Sequence, residues 1–122
     1  MKSTVTFVIS GEFSPSRLLS ALGISDKGAD VEFFGGEAKL IYKKSFTHTD
    51  DPEECVSDML YETLLPLIPA EDKLGELKEK LHIRYSLNID SIPKYSLLIL
   101  DGKISGFFSR AHAVRDVQYF IF

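Results

Sequence analysis

Three histidines, His48, His82 and His112, and one cysteine, Cys55, are the side chains best suited to hold a metal ion or attack a substrate. Zinc is bound by ligands at close spacing, such as two histidines one helical turn apart with a third nearby. Here successive histidines lie 34 and 30 residues apart, and Cys55 falls on the apolar face of an expected helix. That spacing builds no metal site, and no cofactor is expected. A helix N-terminus acidifies a thiol, but Glu53 and Glu54 oppose that effect at Cys55, which reads as a small core residue. The serines lack the G-x-S-x-G setting of a nucleophile elbow. Gly35-Gly36 is not followed by the Lys and Ser/Thr of a phosphate loop.

The acidic run Asp50-Asp51-Pro52-Glu53-Glu54, next to His48, has ligand character at first sight. Each residue also has a helix-start role. Asp51 is an N-cap, Pro52 occupies the first helical position, and Glu54 completes a capping box. No nucleophile–base pair, metal spacing or phosphate cradle is left. An enzyme is therefore the less favoured reading.

The pattern that does stand out is His82 to Asp90. Ile83, Tyr85, Leu87 and Ile89 are apolar, and His82, Arg84, Ser86, Asn88 and Asp90 between them are polar. Alternate strand residues point to opposite faces, so this strand has one dry side and one wet side. A half-covered strand belongs to an antiparallel sheet with helices on one side only. The wet side, with His82, Arg84, Ser86 and Asn88, is the candidate recognition surface, since Arg is enriched where binding energy concentrates.

The totals fit one soluble domain over residues 1–122. Of the 122 residues 44% are hydrophobic, a balance that supports a single core. The net charge of −4, with Lys43-Lys44 the one basic doublet, argues against binding nucleic acid. The apolar run Val5 to Ile9 is too short for a signal peptide or a membrane span. One cysteine excludes an internal disulfide, and a cytoplasmic location is expected.

The remaining elements follow from local chemistry. Thr4–Ile9 is an expected strand. Ser14-Pro15 starts a helix to about Leu22, with Ser14 accepting from the exposed amides and Gly23 as the stop. Gly35-Gly36 supplies the positive φ angles of a two-residue hairpin turn. That turn sets Phe33 opposite Ala38, Val31 opposite Leu40, and Glu32 opposite Lys39. Helices are expected over about 52–65, with Met59, Leu60, Thr63 and Leu64 on its apolar face, and over about 70–81. Gly75 weakens the second by about 1 kcal/mol relative to Ala. Ser96–Leu100 is a short strand or extended segment. Ile104, Phe107, Phe108 and Ala111 form one face of a short helix capped by Asp101.

The first strand, Phe13-Ser14-Pro15, Leu22-Gly23-Ile24 and Lys27-Gly28 resemble the opening of the bacterial DUF4279 family of small proteins of unknown function. The apolar run at Leu97–Leu100, a short helix and a closing strand near Val117-Gln118-Tyr119 resemble its end. The chain departs from the family in having no Trp after Lys27-Gly28, where Tyr42 stands in, and in keeping only Asp116 of the closing acidic residues. The family has no assigned activity, so the resemblance implies a fold and no catalytic residue.

The expected fold is α+β. One antiparallel or mixed sheet of five or six strands carries helices on one face, in a ferredoxin-like layout with an extra strand–helix–strand. The expected function is non-catalytic binding, of an immunity-type or regulatory kind, through the open polar sheet face. One alternative is a ligand-binding protein or enzyme with a pocket between sheet and helices, marked by a buried His82 or Asp90. Another is a structural homodimer through the C-terminal strand, with Tyr119, Phe120 and Phe122 at the interface.

Overall fold

A computed structural model describes residues 2–24, 29–47, 56–90, 102–114 and 116. Along the chain these form β1 (Lys2–Gly11), α1 (Pro15–Leu22), β2 (Ala29–Phe34) and β3 (Glu37–Thr47). Then follow α2 (Val56–Leu64), a 3₁₀ turn (Ile68–Ala70), α3 (Glu71–Leu81), β4 (Arg84–Asp90) and α4 (Gly102–Arg110). The four strands make one antiparallel sheet in the order β2-β3-β1-β4, with the helices packed against it. Because β3 opposes both β1 and β2, those two run parallel with β3 between them. In the same way β3 and β4 run parallel on either side of β1.

The hairpin forms as its sequence dictates. Gly35 and Gly36 have φ of 58° and 86°, the left-handed angles of a type I′ turn. Val31 faces Leu40, Glu32 faces Lys39 and Phe33 faces Ala38. Helix α1 ends at Gly23 (φ 70°), where the amides of Gly23 and Ile24 donate to the carbonyls of Ser20 and Leu19. Its start differs from expectation. The Ser14 hydroxyl makes no capping bond and lies 3.3 Å from the hydroxyl of Ser16, so Pro15 alone marks the first turn.

The expected strand at 82–90 begins two residues late. His82 closes α3 in the left-handed conformation (φ 52°, ψ 44°), and the Ile83 amide donates back to Lys78 O at 3.2 Å. That bond satisfies a helix-end carbonyl and holds residues 82 and 83 out of the ladder. The described residues hold four strands. The further strands expected near 96–100 and 117–122, the interface residues Tyr119, Phe120 and Phe122, the caps Asp51 and Asp101, and Cys55 all lie outside them.

The dry face of the sheet comes from the odd positions of β1. Val5, Phe7 and Ile9 are fully buried, and their register brings Leu40, Tyr42, Tyr85 and Ile89 to the same side. Met59, Leu60 and Leu64 of α2, Leu74 of α3, and Ile104, Phe107 and Phe108 of α4 cover them. Phe7 stacks on Tyr85 at 5.4 Å between ring centres and meets Phe107 edge-on at 6.1 Å. Such pairs add to simple area burial.

Gly75 has a packing role that outweighs its poor helix propensity. A Cβ built there would lie 2.0 Å from the carbonyl oxygen of Arg110, which is backbone and cannot swing aside. The bare backbone lets α3 approach the end of α4. Gly75→Ala is expected to lower the unfolding free energy by about 2 kcal/mol, although alanine alone favours a helix by about 1 kcal/mol. Urea denaturation reads the sign directly, and a stabilised variant would mean that the helices separate without penalty.

Candidate functional site

The even positions of β1 build the other face. Thr4, Thr6, Val8 and Ser10 are half-buried, whereas the odd positions are fully covered. The register sets Thr6 between Lys43 and Asn88, Val8 between Ile41 and Ser86, and Ser10 between Lys39 and Arg84. Asp30 and Glu32 extend these rows onto β2. Among the described residues no helix covers this face. Arg84, Ser86 and Asn88 thus stand side by side as alternation requires, all exposed.

Arg84 is held in place. Its guanidinium reaches across β1 and donates to the Glu37 carboxylate at the start of β3. The Ser10 hydroxyl, beneath that span, donates to the Arg84 carbonyl at 3.4 Å. At the far end of the face the hydroxyls of Thr4 and Ser45 meet at 3.1 Å. An exposed pair like Arg84–Glu37 contributes little to stability. Its effect is to fix where a flexible side chain sits.

His82 is not on this face. It stands at the end of α3 and lines an open cleft of about 490 Å³ with Gly11, Glu12, Glu37, Lys80, Leu81 and Arg84. The cleft joins the β1–α1 turn to the end of α3 and mixes charges of both signs. Arg84 and its partner Glu37 belong both to the cleft and to the sheet face. A second open cleft, of about 610 Å³, is lined by Lys78, Glu79, Ser109, His112 and Val114. His82 and Asp90, the groups proposed to mark a pocket beneath the sheet, are both exposed. No group of three or more His, Cys, Asp or Glu among the described residues is placed to hold a metal ion.

One polar cluster has no counterpart among the groupings expected from the sequence. Lys78 of α3 donates to Asp116 Oδ1 and to the His112 carbonyl, each at 2.6 Å, and its ammonium lies 4.9 Å from the centre of the Tyr85 ring. The other Asp116 oxygen accepts from the Tyr85 amide at 2.7 Å, and the Tyr85 hydroxyl donates to Ala111 O at 2.9 Å. Lys78 and Asp116 side chains are only 16% and 15% exposed, so this pair is well shielded. The cluster ties α3 and β4 to the chain after α4. The Lys78 ammonium, both Asp116 oxygens and the Tyr85 hydroxyl are each engaged internally, which makes it a structural clasp. Its members are 31 and 38 residues from Asp116, a separation with no local sequence signal.

Comparison with family models, with curated proteins and with solved structures finds no match for this chain. Among the described residues no helix is long and apolar enough to cross a membrane.

Two buried tyrosines make opposite predictions. Burial, and then the Asp116 charge, push the Tyr85 phenol well above its ordinary value, and its hydroxyl is bonded. Burial alone pushes Tyr42 up to about 12, and its hydroxyl has no hydrogen-bond partner among the described residues. Tyr85→Phe strands the Ala111 carbonyl and is expected to cost about 1 kcal/mol, whereas Tyr42→Phe removes an unsatisfied group and is expected to be neutral or stabilising. Both phenols keep their proton longer in the folded state than in the unfolded chain. Their contribution is therefore complete below about pH 10 and falls as the pH rises from there toward 12. Denaturation curves against pH should show that alkaline loss, and it should shrink in Tyr42→Phe.

Proposed function

We propose that this chain is a non-catalytic binding protein of the cytoplasm, immunity-type or regulatory, that engages a protein partner through the helix-free face of its sheet. The observation that carries this reading is the exposed row Arg84, Ser86 and Asn88, with Arg84 oriented by Glu37 across β1. Arginine offers a planar fork of donors for carboxylates or backbone carbonyls, and holding it in place reduces the entropy lost on binding. Ser86 and Asn88 add donors and acceptors on the same side, while Val8 and Ile41 supply a half-buried apolar centre. A polar rim around a small apolar patch is the usual anatomy of a protein interface.

The fold belongs to the same proposal in its finer form. The ferredoxin-like layout is supported by the strand order and by the two interleaved parallel relations, β1 with β2 and β3 with β4. The added strand–helix–strand is supported by α4, whose flanking strands would fall outside the described residues. The likeness to DUF4279 is supported by β1 leading into a helix that starts at Pro15 and stops at Gly23.

Affinity capture from the native host, with wild type beside an Arg84→Glu, Asn88→Ala variant, tests the reading. Both side chains are exposed, so the variant should melt within a few degrees of wild type. A stoichiometric protein retained by wild type and lost by the variant is the expected result. Equal capture by both baits, or none by either, removes the sheet face as the site.

A further inference from the structure

We infer that the outer edge of β2, which no other strand among the described residues joins, is a second docking site, one that accepts an extended basic segment of another protein as an added strand. This goes beyond the sheet-face reading, because it uses the backbone edge of β2 and the side chains on both sides of that strand, away from the Arg84 row.

Strand β2 is the outermost strand of the sheet among the described residues. Hydrogen-bonded and non-bonded pairs alternate along an antiparallel ladder, and Phe34–Glu37 closes the two-residue turn. The N–H and C=O groups of Val31 and Phe33 therefore point away from β3, toward any strand that would join. Protein edges are normally blunted by charged side chains, above all lysine, by proline, by a bulge, by short length or by a covering element, and the charges of β2 are both acidic. The six residues of β2, Ala-Asp-Val-Glu-Phe-Phe, contain no lysine, arginine or proline.

The side chains specify the occupant. Val31 and Phe33 lie on the side of the sheet where their neighbours Leu40 and Ala38 are buried, yet they are 42% and 72% exposed. They form an apolar shelf at the rim of the core. On the opposite side Asp30 and Glu32 are both exposed, and only Glu32 has a lysine, Lys39, across the strand pair. A joining strand would thus place apolar residues beside Val31 and Phe33 and basic ones beside Asp30 and Glu32. Backbone bonds supply affinity in strand addition, and alternate side chains supply the choice of partner.

A second copy of β2 fits poorly. Two strands related by a two-fold axis must place residues of the same face opposite each other, so one residue faces its own copy across the axis. Two registers pair five of the six residues. One, centred on Val31, sets Asp30 against the other copy's Glu32, and the one centred on Glu32 sets that carboxylate against itself. Like charges directly opposite are destabilising. A lysine- or arginine-bearing strand relieves the same repulsion.

The probe is a short acetylated peptide alternating lysine with valine, titrated into the isotope-labelled chain, with an otherwise identical glutamate–valine peptide as control. The expected result is saturable binding of the lysine peptide alone, with the Val31 and Phe33 amides shifted and slowed in exchange. Asp30→Lys with Glu32→Lys should weaken that peptide at least about tenfold and admit the glutamate peptide. Val31→Pro, which removes an outward amide but no β2–β3 bond, should abolish both. Equal binding of the two peptides, shifts confined to Arg84, Ser86 and Asn88, or no binding at all would overturn the inference. So would slow exchange at Val31 and Phe33 in a dimer of the chain alone. Shifts confined to the sheet face would leave the sheet-face proposal standing, whereas its own failure in host capture would not affect the β2 result.

Discussion

Strand β1 is paired along both edges, with β3 on one side and β4 on the other, and its odd-numbered side chains are fully buried. Side chains alternate strictly along a strand, so a slip of one residue would carry Val5, Phe7 and Ile9 into water and Thr4, Thr6 and Val8 into the core. That register, once fixed, sets two neighbours at once. It places Tyr42 and Leu40 on β3, and Tyr85 and Ile89 on β4, over the same dry layer. It also aligns Lys43, Thr6 and Asn88 into one row on the wet side. The aromatic group of Phe7, Tyr85 and Phe107 then locks the central strand to β4 and α4.

The helical layer depends on a close approach that only a missing side chain permits. Gly75 admits the Arg110 carbonyl into the surface of α3, and the Lys78–Asp116–Tyr85 clasp closes just beyond it. The clasp satisfies carbonyls at the end of α4 that have no partner within the helix. A cation at that position also suits the negative end of the helix. These groups are spent on holding the helices to the sheet. Among the described residues, the polar groups on the helix-free face and on the β2 edge lie outside this clasp.

Those two surfaces differ in character. On the sheet face a basic side chain is oriented by an acidic one, with hydroxyl and amide groups nearby. On β2 two acidic side chains alternate with two exposed apolar ones beside backbone that pairs with no other strand among the described residues. The first suits side-chain recognition of a folded surface, and the second suits backbone recognition of an extended segment.

Much of the fold was legible because it rests on short-range rules. The alternation of 84–90, the Gly35-Gly36 hairpin with its register, the stop at Gly23 and the apolar stripe of Ile104, Phe107, Phe108 and Ala111 each follow from spacing or from a backbone angle that few residues tolerate. The row Arg84, Ser86 and Asn88 was legible for the same reason. His82 was misplaced because polar alternation does not reveal that a helix end takes the residue first. Glu37 as the partner of Arg84 lies 47 residues away, and Asp116 lies 38 from Lys78. Only the folded chain brings such groups together. The exposure of Val31 and Phe33 was hidden too, since their pattern is that of a buried strand face. Alternation in sequence determines which side of a strand is apolar, but the reach of the helices across the sheet decides whether that side is covered.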